Sequence, residues 1–174
     1  MRSVRAEGRS FFHDLVPTES RTVSPLPRLF YNILRLLWRL TKPTTVGVRL
    51  ILVRKRSVLL VKHSYQHHWY LPGGGVRKGE TVEKAGRREA TEELGADLGT
   101  LHLFGVYTTF QEHKNDHVVV LSCRDFTLTG VTDREIGSFG FFGFDDLPND
   151  VSPGTLRRIR EFTDNDCSPG IGSW

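Results

Sequence analysis

The stretch that decides the fold runs from Gly74 to Ala96, GGVRKGETVEKAGRREATEELGA. Its second half reads as a helix. Thr81 to Leu94 contain no proline, and Gly95 supplies a terminator. At about 100° per residue from Val82, Glu89, Glu92 and Glu93 fall at about −20°, −80° and +20°. Three carboxylates therefore share one arc. Glu89–Glu92 and Glu89–Glu93 are like-charge pairs at helical neighbour spacing, each costing roughly a few tenths of a kcal/mol. They also stand in the C-terminal half, where the helix dipole disfavours anions. Gly86 adds a cost of about 1 kcal/mol relative to alanine. Local physics works against this helix, and such conflicts mark functional sites. A hard divalent cation would resolve it, because clustered carboxylate oxygens suit Mg²⁺ or Mn²⁺ and no soft ligand sits among them. The preceding Gly73-Gly74-Gly75 turn lets backbone approach a ligand closely. Glu80 and Arg88 carry opposite charges and can tie that loop to the helix. Taken singly, a glutamate-rich face reads as solvated surface and three glycines as a turn. The conjunction changes the reading.

The spacing is G-x5-E-x7-R-E-U-x-E-E-x-G-U, with U apolar, met by Gly74, Glu80, Arg88, Glu89, Ala90, Glu92, Glu93, Gly95 and Ala96. This resembles the signature of the Nudix hydrolase family. Trp69-Tyr70-Leu71-Pro72-Gly73-Gly74 is similar to the segment that precedes that signature, and Phe141 to Pro148 (FFGFDDLP) to the family's late strand and turn. The resemblance spans roughly residues 45–163. It implies an α/β/α sandwich around a mixed sheet, an α+β fold. It also implies Mg²⁺- or Mn²⁺-dependent hydrolysis of a pyrophosphate bond in a nucleoside diphosphate derivative or nucleoside triphosphate. By the same resemblance Glu89, Glu92 and Glu93 bind metal, Glu80 holds Arg88, and Gly74 and Gly95 support the site. Glu92 or Glu93 can serve as general base, as can a later loop carboxylate. Glu112, Asp116 and Glu135 are the candidates there, and Glu135 is preferred because it lies just before the FFGF strand.

Working outward, Thr45–Arg54 and Ser57–His63 are β-branched, leucine-rich runs separated by Lys55 and Arg56, which predicts a hairpin. Strands are also expected over Leu101–Phe110, His117–Phe126 and Ser138–Phe144, and a closing helix over Thr155–Phe162. Strands on both sides of a central helix suggest a mixed α+β domain. The expected organisation is an extension over 1–44, a catalytic domain over 45–165 and a mobile tail over 166–174. Within the extension, residues 28–40 (RLFYNILRLLWRL) have the pattern of an amphipathic helix. A helix packed on the sheet or across a homodimer interface is the favoured reading; contact with a membrane surface is the alternative.

Arg49 and Arg54 alternate with apolar residues, so they read as the solvent side of a strand rather than as phosphate ligands. His63, His67 and His68 read as strand end and loop, with substrate contact open to one or two of them and a transition-metal cluster disfavoured. Trp69, Tyr107 and Phe110 read as core before base-stacking. Markers of substrate class are mostly negative. Position 112 is Glu where ADP-ribose-type relatives carry Pro, His113 and Lys114 stand where diadenosine-polyphosphate types carry Tyr, and the coenzyme-A pattern is absent.

The 174 residues are 38% hydrophobic and 25% charged, which excludes a disordered chain and a membrane bundle. The net charge of +4 hides an uneven distribution. Residues 1–56 hold twelve Lys/Arg against three Asp/Glu, and the rest twelve against seventeen. The basic front makes RNA 5′ ends thinkable, but no aromatic-plus-basic motif supports nucleic-acid binding. Two cysteines, Cys123 and Cys167, make no zinc or disulfide framework. No leader segment or bilayer-length apolar run is visible, so a cytoplasmic protein acting on a small nucleotide is expected. A catalytically silent nucleotide-binding domain is the rival reading.

Overall fold

The hairpin expected from the two β-branched runs forms as β1 (Thr44–Arg54) and β2 (Ser57–His63), turned by Lys55 with φ 55°. A computed structural model describes residues 44–110, 115–130, 135–164 and 170–174. The expected helix over 28–40, Glu112, His113, Lys114 and Cys167 lie outside the described residues. The hairpin is followed by α1 (Val82–Leu94), β3 (Ala96–Leu98), β4 (His102–Thr109), β5 (Asn115–Cys123), β6 (Phe126–Leu128), β7 (Ile136–Gly143), α2 (Pro153–Asp164) and β8 (Gly170–Ser173). Six strands make one mixed sheet in the order β7-β2-β1-β5-β4-β8, with β1–β5 and β4–β8 parallel. β3 and β6 pair separately.

Strand alternation sends apolar side chains to both faces, and both are covered. Val48, Leu50, Leu52, Leu59 and Val61 pack with Ala85, Ala90 and Leu94 of α1. Ile51, Val53, Val58 and Leu60 pack with Ile159 and Phe162 of α2. The architecture is the α/β/α sandwich that the sequence implies. Gly86 has a packing reason: a Cβ there would lie 3.3 Å from Leu50 Cδ2 and 3.5 Å from Leu121 Cδ1. Its absence lets α1 lie close against the sheet.

Three expectations change. The strand expected through Phe126 ends at Cys123, and Phe126 starts β6 instead. The three residues of β3, paired with it, were not expected as a strand. Residues 170–173, expected as part of a mobile tail, form β8 beside β4, and Trp174 follows, its ring 6.2 Å from that of Tyr107. The strand gains ladder hydrogen bonds on β4, and the indole fills the space that Gly154 leaves open, where a Cβ would meet Trp174 Nε1.

The feature that positions the site is a splay. β1 and β2 pair at Val53↔Val58 and Arg54↔Ser57, and the segment 70–76 enters between their other ends. Tyr70 exchanges both backbone hydrogen bonds with Val61, each 2.9 Å. Leu50 N donates to Pro72 O and Val48 N to Gly74 O, both 2.9 Å, while Val76 N donates to Val46 O at 2.9 Å. The glycine loop is thus held as an extra strand, not as a free turn.

Candidate active site

Helix α1 is cut to length by its caps. Thr81 Oγ1 accepts from Lys84 N at 3.2 Å, and Gly95 closes the helix in the left-handed region at φ 58°. This fixes the rotation that carries Glu89 and Glu93 toward the glycine loop. Glu93 is 5% exposed, and its Oε2 accepts from Gly73 N at 2.8 Å. Its Oε1 stands 3.9 Å from His63 Nε2, an electrostatic rather than a hydrogen-bonding distance. A buried carboxylate needs such partners. Glu89 lies directly beneath Gly74, where a Cβ would come within 2.6 Å of its Oε1. Gly73 has φ +127°, and a Cβ there would meet Val48 O at 2.3 Å. At Gly73 the close atoms are backbone, so glycine is required there; at Gly74 a side chain would displace the Glu89 carboxylate.

Arg88 supplies the counter-charge that the helix needs. Its Nε and Nη2 donate to the two oxygens of Glu80 at 2.9 and 3.0 Å. Its Nη1 donates to Glu89 Oε1 at 2.6 Å and Glu92 Oε2 at 3.0 Å, and its Nη2 also reaches Gly75 O at 2.9 Å. One guanidinium therefore ties two helix carboxylates, the loop backbone and the loop carboxylate together. The Arg88 hydrogen bonds, aided by the Arg77 backbone N–H, hold the Glu80 carboxyl down at about 2. The same bonds raise the Arg88 guanidinium further above its ordinary value. Glu92 is half-exposed, and Arg77 Nη2 adds bonds to it at 3.3 and 3.5 Å. The relief of carboxylate repulsion that the sequence assigns to a metal ion is thus partly given by Arg88 and Arg77.

Among the described residues no three carboxylate, histidine or cysteine side chains converge into a ready cation cage. The donor chemistry nonetheless fits a hard ion. Glu89 and Glu93 offer carboxylate oxygen one helical turn apart, and Mg²⁺ keeps most of its water and takes few carboxylates.

The other expected residues divide. Glu135 is exposed and joins Ser64 N through its carbonyl at 2.9 Å, beside the His63↔Ile136 pair. The sheet register therefore places it at the His63 end of β2. Asp116 pairs with Thr45 and Thr109 at the strand ends. His68 Nδ1 bonds Asp150 O at 3.1 Å, outside the carboxylate group. Arg54 lies over the rings of Phe126 and Phe141 at 5.1 and 4.9 Å, at the far end of β1. Tyr107 is core, as expected, whereas Phe110 is exposed. Arg49 does not lie on a solvent face. It is half-buried, and the charges of Glu93 and Glu89 act on it while burial lowers its affinity for the proton. Alternation alone did not show this, because both faces of β1 are covered.

Known proteins resemble this chain in sequence and in fold. The NUDIX domain family matches residues 41–162. An ADP-ribose pyrophosphatase of Methanocaldococcus jannaschii is 35% identical over 85 residues, 47% of this chain and 50% of that protein. An RNA pyrophosphohydrolase of Erwinia tasmaniensis is 33% identical over 69 residues, 40% of this chain and 39% of that protein. The chain thus spans half or less of the length of these curated relatives. The crystal structure of a MutT NUDIX hydrolase from Burkholderia pseudomallei superposes with a TM-score of 0.61 at 29% identity, covering 67% of this chain and 96% of that one.

Proposed function

This chain belongs to the Nudix family, and from that premise we propose that it hydrolyses the pyrophosphate bond of a nucleoside diphosphate derivative or nucleoside triphosphate, with Mg²⁺ or Mn²⁺. The observation that carries this reading is the pair Glu89 and Glu93, held against the Gly73–Gly75 loop while Arg88 locks loop to helix. A helix that kept three carboxylates on one arc only for stability would have no use for a glycine loop pressed onto two of them.

The chain's own residues do the following. The 70–76 segment fixes the backbone against which a diphosphate can lie. Gly73 N–H orients Glu93, so that one carboxylate oxygen is engaged and the other faces His63. In this reading Glu93 accepts a proton from an attacking water, with Glu92 and Glu135 as the other carboxylates able to do so. Arg88 keeps Glu89 and Glu92 from drifting apart under mutual repulsion. Glu89, Glu92 and Glu93 are the residues that would hold the divalent ion, which when bound offsets phosphate charge and orients water.

A screen for phosphate or nucleoside monophosphate release with Mg²⁺ and Mn²⁺ tests the reading. Its arms are ADP-ribose, nucleoside triphosphates and 5′-triphosphorylated RNA. Turnover of at least one arm, dependent on metal, is expected. Saturable binding without turnover on every arm would instead establish a silent nucleotide-binding domain.

A further inference from the structure

We propose that Arg49 binds the diphosphate of the substrate directly, through its guanidinium. This rests on the reading of the site as one for a pyrophosphate bond. Arg49 sits on the central strand β1, in register with Val120 of β5. On its other side the hydrogen bonds Val48 N to Gly74 O and Leu50 N to Pro72 O bracket it, so it lies across from Gly73. The contact is close, for a Cβ on Gly73 would stand 3.2 Å from Arg49 Cα. Glu93 accepts its hydrogen bond from that same Gly73. Val48, Leu50 and Leu52 belong to the core under α1, and the core under α2 includes Ile51 and Val53. Arg49 is one alternation step beyond Ile51, half-buried, where that second core gives out.

Arg88 is engaged with Glu80, Glu89 and Glu92, and Arg77 with Glu92. Lys62 is engaged with Asp150 at 2.7 Å. The Arg49 side chain hydrogen-bonds none of the described residues, although the charges of Glu93 and Glu89 and the phenols of Tyr70 and Tyr65 all act on it. It stays protonated, since arginine does not lose its proton in proteins. A half-buried guanidinium that bonds no other described side chain keeps its donors for a ligand. A planar five-donor fork matches two phosphate oxygens at once, and a lysine point charge does not. A diphosphate brings several negative charges to a rim already lined with carboxylates, and Arg49 is the cation beside that rim not committed to another side chain among the described residues.

The test is calorimetric titration of the full chain in Mg²⁺ with imidodiphosphate, whose P–N–P bridge resists hydrolysis. Arg49→Met is expected to weaken binding at least about tenfold, the scale of a lost charge-assisted hydrogen bond. Arg49→Lys keeps the charge and loses the fork. A direct contact predicts that Arg49→Lys also binds more weakly, with a higher KM and a thermal melt like that of wild type. A role as mere counter-charge to Glu93 and Glu89 predicts wild-type affinity for Arg49→Lys, and that result overturns the proposal. Should Arg49→Met fail to fold, Arg49→Lys decides alone by the same two outcomes. If wild type binds and hydrolyses while both variants match it, this inference fails and the reading of the site stands. If wild type neither binds imidodiphosphate nor turns over any arm of the screen, the reading itself fails and takes this inference with it.

Discussion

Replacing Gly73 by alanine puts one methyl group where the loop, the sheet and Glu93 meet. The new Cβ would lie 2.3 Å from Val48 O, 3.1 Å from Val48 C and 3.2 Å from Arg49 Cα. All three are backbone atoms of the central strand, so no side chain can swing away. The residue also has φ +127°, a conformation that alanine rarely adopts. Backbone strain of this kind costs about 1–3 kcal/mol. Overpacking against a rigid wall adds about 1–3 kcal/mol. The loss should therefore be about 2–6 kcal/mol, or roughly 4–24 °C in Tm for a chain of this size. Turnover should fall as well, because the N–H that holds Glu93 moves with the loop. Gly75 is the control: a Cβ there would meet nothing within 4 Å. Gly75→Ala should stay within about 0.5 kcal/mol of wild type. Urea melts read as a change in midpoint at constant slope measure both. A Gly73→Ala protein as stable as Gly75→Ala would refute the close-approach argument.

Three further outcomes follow from the same geometry. At Gly86 the helix gain of about 1 kcal/mol from alanine is offset by the 3.3 Å approach to Leu50 Cδ2, so Gly86→Ala should be near neutral and Gly86→Leu clearly destabilising in the same melts. Glu80 has its carboxyl depressed to about 2 by Arg88, so its contribution is fully present above the ordinary carboxylate range and is lost as pH falls toward 2. Acid titration of stability should show that loss between about pH 4.5 and 2 in wild type, and a flatter profile in Glu80→Gln. Mg²⁺ at about a hundredfold above its Kd should stabilise the fold by about 2.7 kcal/mol, and Glu89→Gln should weaken that response in a thermal shift assay.

What was legible in the sequence, and what was not, divides along physical lines. The nine-position pattern from Gly74 to Ala96 was readable because like charges on one helical arc are locally costly. The pairing of Glu80 with Arg88 followed from their signs and spacing. The reach of Arg88 to Glu89, Glu92 and Gly75 O did not, since it depends on where the loop backbone runs. Gly86 looked like a defect until the leucines of β1 and β5 gave its reason. Arg49 was misplaced because alternation tells which residues share a face, not what covers that face. The strands β3, β6 and β8 have three or four residues each, too few for a period, and exist through distant partners. The 70–76 segment was read as a loop, because only the splay of β1 from β2 makes room for it in the sheet.

The central claim is that Glu93, set by Gly73 and His63, serves cleavage of a pyrophosphate bond. Glu93→Gln keeps the shape and an oxygen acceptor for Gly73 N–H but removes the charge and the base. Phosphorus NMR of the best substrate with Mg²⁺ should show wild type splitting the P–O–P linkage. Glu93→Gln should be slower by about 10²–10⁴, with a melting temperature like that of wild type when no metal is added. Equal rates for the two proteins would contradict the account.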